Sequence, residues 1–404
     1  MKLWQKLSGN PKLYGGSLED DFTLSTGLVP FDFLNGEIIL KDDGTRQLYT
    51  GISAGRIIQI IGKSGTGKST LAAQIGINII QRYENGLMYW FDFEQSTTVD
   101  RIRKVTGISE KYAKEHLSIQ RKGITTEKVL LTLSKLKEMK LAHEKELLVP
   151  NENGIKDEAG KVINILPPTV VVVDSLAMMM PEDNAETEEI QGAMSATGIA
   201  RVNAQFFKKA VQIANTANIV LIFINHITQN ISIGATPVAS VLNYLKQDEA
   251  LSGGKAALYV TDTLIKLTAA AKLEPEKTYG VKGFEVKTEI CKSRHAPAGR
   301  SVTLIFDQVN GFRNDLSVLE YIKSNDGLKG NGMAYYVEGG ENYKFKLSNF
   351  AEKYATIPEL RVLIDETAKA MLYSSIKESK NIQYFSAEEL PEEMTENEEE
   401  STNE

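Results

Sequence analysis

The chain has 404 residues, 42% hydrophobic and 25% charged, with a formal net charge of −7; this is the composition of a soluble globular protein of one large or two to three ordinary domains. Apolar runs such as "TVVVVDSLAMMM" (169–180) are too short to span a bilayer, and Asp174 interrupts this one. The opening "MKLWQKLSGNPK" has no apolar core before a small-residue cleavage site and Cys291 is the only cysteine, which excludes a disulfide framework and points to the cytoplasm.

In chain order, residues 1–23 are broken by "SGNPK" and "YGGS", while "DFTLST" (21–26) is strand-like and suited to edge-on docking. Residues 37–50, "EIILKDDGTRQLYT", read as an insertion. Beyond them short β-rich runs alternate with helical stretches, the pattern of a parallel sheet flanked by helices. Strands are expected at "RIIQIIG" (56–62), "LMYWFDF" (87–93), "TVVVVDS" (169–175) and "IVLIFIN" (219–225). The helix after the first of these places Leu71, Ile75 and Ile79 at i, i+4, i+8, a core-facing stripe. "VPNENGIKDEAGKVINILPP" (149–168) carries the turn signals of a polar hairpin insertion.

"LIKLTA" (264–269), "FEVKTEIC" (284–291) and "SVTLIFD" (301–307) lack long helices between them and read as an antiparallel extension of the same sheet. From about 316 the pattern turns helical, with a hairpin candidate in "AYYVEGGENYKF" (334–345). The end, "AEELPEEMTENEEESTNE" (387–404), holds nine Glu and no Lys or Arg; setting those charges aside turns the net −7 slightly positive. Such a tail is solvated and disordered, and is either a solubilising end or a mobile anion that competes with phosphates for a basic surface. The expected division is an N-terminal segment 1–50, an α/β core 51–315, a small C-terminal α+β domain 316–386 and the acidic tail 387–404.

One motif carries chemistry outright. "GKSGTGKS", from Gly62 to Ser69, fits G-x-x-x-x-G-K-[ST] between a strand end and a helix start. Its glycines let backbone N–H groups converge on phosphate oxygens at a helix N-terminus, so Gly62, Lys63, Ser64, Gly65, Thr66, Gly67, Lys68, Ser69 and Thr70 form the nucleotide-binding set. Lys68 is expected at the β- and γ-phosphates of ATP and the Ser69 hydroxyl on Mg²⁺. Asp174, ending an apolar strand, is the second metal-site candidate, although an Asp there can also be a plain helix cap. Glu94, in "DFEQ", could orient or deprotonate the attacking water, with Asp92 as a more structural rival.

The order of motifs resembles the RecA family of homologous-recombination ATPases, closest in pattern to its phage UvsX-like branch. The residues that carry this are "LSTGLVPFDFLNG" (24–36), "GRIIQIIGKSGTGKST" (55–70), "WFDFEQ" (90–95) and "VVVVDSLA" (170–177). They continue in "IARVNAQFFKKA" (199–210), "IVLIFINHI" (219–227), "LSGGKAALYVTD" (251–262) and "EICKSRHAPAG" (289–299).

The resemblance implies a RecA-like P-loop NTPase core, a DNA-dependent ATPase activity and a helical homo-oligomeric filament on single-stranded DNA. That filament would pair with double-stranded DNA, with single-strand-binding and mediator proteins as further partners. It places Glu94 as the water-activating carboxylate and His226, where many members have Gln, as the γ-phosphate sensor. Lys292 and Arg294 fall on two cations that reach a neighbouring subunit's ATP; at i and i+2 they share one face of a strand. Arg101 falls on an adenine-stacking position, and residues 1–50 on a subunit-docking segment.

Two DNA-facing loops are implied, at 182–197 and 227–252. The first has no Lys or Arg and the second only Lys246. DNA contact therefore falls to Arg201 and Lys208, which share a helix face at i, i+7, and to Lys246, Gly253 and Gly254. Ile231 and Ile233, with further apolar residues to Tyr244, could wedge between bases or pack against protein. Two other readings are kept: a hexameric DnaB-like helicase, whose helical N-terminal domain has no counterpart in the roughly 50 residues before the core, and a nucleotide-switched assembly ATPase without DNA function.

Overall fold

The computed structural model describes residues 22–40, 46–157, 159–185, 193–229, 244–245, 249–251, 254–275, 278–332 and 334–378. Ile231, Ile233, Lys246, Gly253, residues 186–192 of the first loop, most of the second loop and the acidic tail lie outside them.

A ten-stranded mixed sheet organises the molecule. Its strands are β1 (Ile57–Gly62), β2 (Leu87–Asp92), β3 (Leu117–Gln120), β4 (Thr169–Asp174), β5 (Ile219–Gln229), β6 (Glu249–Leu251), β7 (Thr263–Leu273), β8 (Gly283–Lys292), β9 (Ser301–Asp307) and β10 (Gly311–Arg313). The spatial order is β10-β9-β8-β7-β1-β5-β4-β2-β3, with β6 paired to β5. β7, β1, β5, β4, β2 and β3 run parallel, whereas β8, β9 and β10 extend the sheet antiparallel, as their missing crossover helices require.

The central strands read as continuous apolar runs because both faces are covered. Along β4, Val170 and Val172 point into one cluster with Leu71 and Ile75, while Val171 and Val173 point into another with Phe206, Phe207 and Leu133. The first cluster belongs to helix α1 (Lys68–Ile80) and also receives Ile102 of α2 (Val99–Thr106); the second lies under α3 (Thr126–Ala142) and α4 (Ala193–Thr216). Leu71, Ile75 and Ile79 are buried as the stripe predicts, but burial extends around almost the whole of α1. Its Gln74 amide donates to the carbonyls of Val105 and Phe312 and accepts from the Phe312 N–H, fastening the helix to α2 and β10.

The expected extents of two elements, the fourth strand and the C-terminal hairpin, are corrected. The fourth strand runs to Gln229, because its last three residues pair with β6 rather than turning away. Thr23–Leu24 pairs on one edge with Ile52–Ser53 of its own chain. The C-terminal hairpin pairs Lys329–Asn331 with Ala334–Tyr336, and only one further bridge, Tyr335 to Phe345, reaches into the predicted second half. After residue 315, Leu316, Leu319, Leu360 and Ile364 of helices α6 (Asn314–Ser324) and α7 (Pro358–Glu378) pack with Ile305 of β9.

The insertion is a polar hairpin, Val149–Pro150 against Asn164–Ile165, with a function in the fold. Asn153 accepts from the Thr23 N–H at 2.9 Å and donates to Thr23 Oγ1 at 2.8 Å, and Glu152 pairs with Arg82 beyond the end of α1 at 2.7 Å. Among the described residues no helix is long and apolar enough to cross a membrane.

Candidate nucleotide site at the sheet edge

Four adjacent strand ends form one edge. Register places Gly62 of β1 beside His226 of β5, and Asp174 of β4 between Asp92 of β2 and Ile224 of β5. Ligands of open α/β sheets bind outside the carboxyl ends of such strands. The loop from Gly62 to Lys68 curls over this edge: Gly65 and Gly67 have φ of +78° and +89°, and a Cβ on Gly67 would sit 3.0 Å from the Phe312 ring. Both positions thus require glycine.

Lys68 is buried, and its Nζ donates to the Lys63 carbonyl at 2.9 Å. Burial lowers its pKa, opposed by the carboxylates of Asp174 and Glu94. Ser69 Oγ donates to Asp174 Oδ2 at 2.8 Å, so the two expected metal ligands are already together. Burial raises Asp174 to about 6 despite that hydrogen bond, and the carboxylates of Glu94 and Asp92 push the same way. A buried, unneutralised carboxylate beside a hydroxyl is a donor set suited to a hard cation. Among the described residues no group of three or more His, Cys, Asp or Glu could hold a metal alone.

Glu94 lies two residues beyond β2, where the backbone folds over the end of β4 and the Phe93 N–H donates to the Asp174 carbonyl at 2.7 Å. His226 Nε2 and Glu94 Oε1 are 2.8 Å apart; an ionised carboxylate only accepts, so Nε2–H is the donor. Burial alone would raise the pKa of Glu94, but the neighbouring Ser175 hydroxyl, His226 and Lys68 outweigh it and hold the carboxyl below its usual range. Asp92 is spent on structure, accepting from the N–H groups of Ser96 and Thr97 and pairing with Arg121.

Other expected residues lie apart from this edge. Lys292, in register with Leu264 and through it with Gln59, sits three residues down β1 from Gly62, towards the opposite end of the strand. Its Nζ donates to the carbonyls of Leu258 and Tyr259 at 2.7 and 3.2 Å, and Arg294 donates to Tyr259 at 3.0 Å. The shared strand face is corrected: β8 ends at Lys292, and a common acceptor aligns the two cations. Arg101 donates to the carbonyls of Gln308 and Val309 in the β9–β10 turn. Arg201 and Lys208 are both exposed on α4, and Gly254 begins α5 (Gly254–Val260). Tyr244 and Leu245, at the end of the second loop, pack on Ile61 and Leu264, so here the apolar residues face protein. Sequence reasoning missed Glu249, buried between Lys63 and Lys266; a lone Glu in "QDEALS" carries no motif.

With this geometry in hand, the chain's likeness to known proteins is informative. It is 23% identical over 359 residues to the Protein RecA of Syntrophus aciditrophicus, covering 87% of this chain and 85% of that one. It is 25% identical over 289 residues to the Protein RecA of a Wolbachia of Brugia malayi, and 25% identical over 276 residues to that of Aquifex aeolicus. These two matches take in 72% and 68% of this chain but only 64% and 62% of the relatives, just under two thirds of their length. No family model matches the chain. The matches support a RecA-family member. The mostly parallel sheet, with α1 and α2 on one face and α3 and α4 on the other, is consistent with a RecA-like core.

Proposed function

We propose that this protein is an ATP-dependent recombinase that assembles as a helical filament on single-stranded DNA and pairs it with homologous duplex. The observation that carries this reading is the position of His226. It touches Glu94 at the nucleotide edge, and its strand continues directly into the second loop. "LSTGLVPFDFLNG", the insertion after it and His226 in place of Gln favour the phage UvsX-like branch, acting in a host cytoplasm.

The backbone N–H groups from Lys63 to Ser69 and the Lys68 ammonium bind the triphosphate of ATP. Ser69 and Asp174 would hold Mg²⁺, which would supply positive charge against the phosphates. Glu94, ionised at neutral pH, accepts a proton from the attacking water. Its oxygen is engaged by His226 here. A γ-phosphate offers the imidazole N–H a second acceptor, so the exchange frees Glu94 and moves β5, and with it the second loop. Lys292 and Arg294 are held for a neighbouring copy's ATP, where cations stabilise charge on the transferred phosphoryl group. Arg201, Lys208 and the backbone near Gly254 contact phosphates, leaving sequence choice to base pairing.

The experiment is ATPase rate with and without single-stranded DNA for wild type and Glu94→Gln, with negative-stain imaging of the ATP-bound wild type. DNA stimulation lost in Glu94→Gln, together with helical filaments, is expected. Closed rings would favour a hexameric helicase, and polymers indifferent to DNA an assembly ATPase.

A further inference from the structure

The strand returning from the second loop touches the nucleotide site independently of His226. β5 and β6 form an antiparallel ribbon in which Ile227 faces Leu251, Thr228 faces Ala250 and Gln229 faces Glu249. His226 immediately precedes the first of these pairs and Glu249 closes the last. The Glu249 side chain is only 4% exposed and two lysines face it, Lys63 Nζ at 3.9 Å from Oε1 and Lys266 Nζ at 3.8 Å from Oε2. Lys266, paired with Ile61 on β7, also donates to the Tyr244 carbonyl at 2.6 Å. Lys63 is part of the phosphate-binding loop, and its carbonyl accepts from Thr66 Oγ1 and Lys68 Nζ. Around these charges the packing is apolar, formed by Leu245, Ile61, Leu264 and Leu251. A carboxylate removed from water needs such partners, so Glu249 fixes β6 where both lysines reach it.

We infer that Glu249 is a second coupling contact, a positioning residue that through Lys63 makes the seating of β6, and so of the second loop, depend on what the phosphate-binding loop holds. The inference rests on the DNA-binding reading above. Held at His226 alone the ribbon can pivot; held at Glu249 as well, it is fixed on both strands. The Lys63 side chain is 58% exposed, so its ammonium is free to turn from Glu249 to a phosphate oxygen. A bound triphosphate therefore competes with Glu249 for this cation.

The test is a coupling ratio: affinity for a fluorescent, non-hydrolysed ATP analogue with and without oligo-dT, and affinity for oligo-dT with and without the analogue. Linkage makes the two ratios equal, and wild type is expected between about 5 and 150. Glu249→Gln and Lys63→Gln should each lower the ratio by about fivefold, and the double variant no further than either single one. Lys63→Arg, which keeps the charge, should retain the wild-type ratio. If Glu249→Gln does not fold, Lys63→Gln, altering an exposed side chain, carries the same expectation. Unchanged ratios, or losses that multiply in the double variant, overturn the assignment. A wild type whose affinities ignore the second ligand overturns the DNA-binding reading, and this inference with it.

Discussion

Glu94 follows β2 and His226 lies on β5, strands separated by β4, and their 2.8 Å contact is made across its end. The contact exists because the chain after β2 folds over Asp174. It joins a catalytic candidate to a strand with a different destination. Replacing Glu94 by Gln keeps the shape and removes the base, so hydrolysis should fall about 10²- to 10⁴-fold while ATP analogue still binds. Equal losses of binding and turnover would assign Glu94 to binding instead.

The same pair sets a titration. Against burial, the Ser175 hydroxyl, His226 and Lys68 hold Glu94 below the ordinary carboxylate range, so it stays ionised to lower pH than a free glutamate. In His226→Ala its carboxyl should titrate at higher pH, followed by carbon NMR of labelled glutamate. An unmoved titration would mean that His226 does not stabilise the ionised form.

Asp174 titrates in the opposite sense, because burial raises it to about 6 from an unfolded value near 3.8. Between those values the native state holds a proton that the unfolded state has lost, so this group's contribution falls as pH rises through the window and stays unfavourable above about 6. In EDTA at pH 7.5, Asp174→Asn should therefore stabilise the fold by about 2 kcal/mol and raise the melting midpoint. The gain should shrink towards pH 5 and disappear when Mg²⁺ and nucleotide are added to wild type. A variant less stable than wild type at pH 7.5 in EDTA would contradict the role of burial.

Lys292 and Arg294 lie towards the other end of β1 from the phosphate loop, which makes the site testable by mixing. Glu94→Gln and the double variant Lys292→Ala/Arg294→Ala should each be inactive alone. Mixed in equal amounts, they should regain activity at about a quarter of head-to-tail interfaces. No recovery would mean that both sets act within one chain.

The insertion gives a stability prediction. Asn153→Ala removes both hydrogen bonds to Thr23 and should cost about 1–3 kcal/mol, with faster amide exchange at Thr23 and Leu24. Unchanged exchange there would show that the hairpin does not brace this strand.

Much of the fold was legible because the signals were local. The phosphate loop has a fixed spacing, and the central strands alternate Val and Ile between two covered faces, so "TVVVVDS" predicts β4 almost residue for residue. The extension of β5 to Gln229 was hidden, since its partner β6 lies some twenty residues on and its pairing is decided by tertiary contact. Glu94 needed the resemblance, because nothing in "DFEQ" reveals that its chain crosses Asp174. Glu249 was invisible for a similar reason: its two lysines come from the phosphate-binding loop and from β7, both distant in sequence. The alignment of Lys292 with Arg294 came from a helix end rather than from strand periodicity.

Finally, α1 is pinned along its length, with Gln74 bonded to two other elements and Asn78 donating to the Thr26 carbonyl. A rod so encased is an anvil rather than a lever: phosphates press against one end of it, and it does not tilt. Whatever the site transmits leaves by the strand tips around His226 and Glu249. Directed evolution for altered nucleotide response should accordingly collect its changes in those few residues, while substitutions along the rod yield only poorer folding.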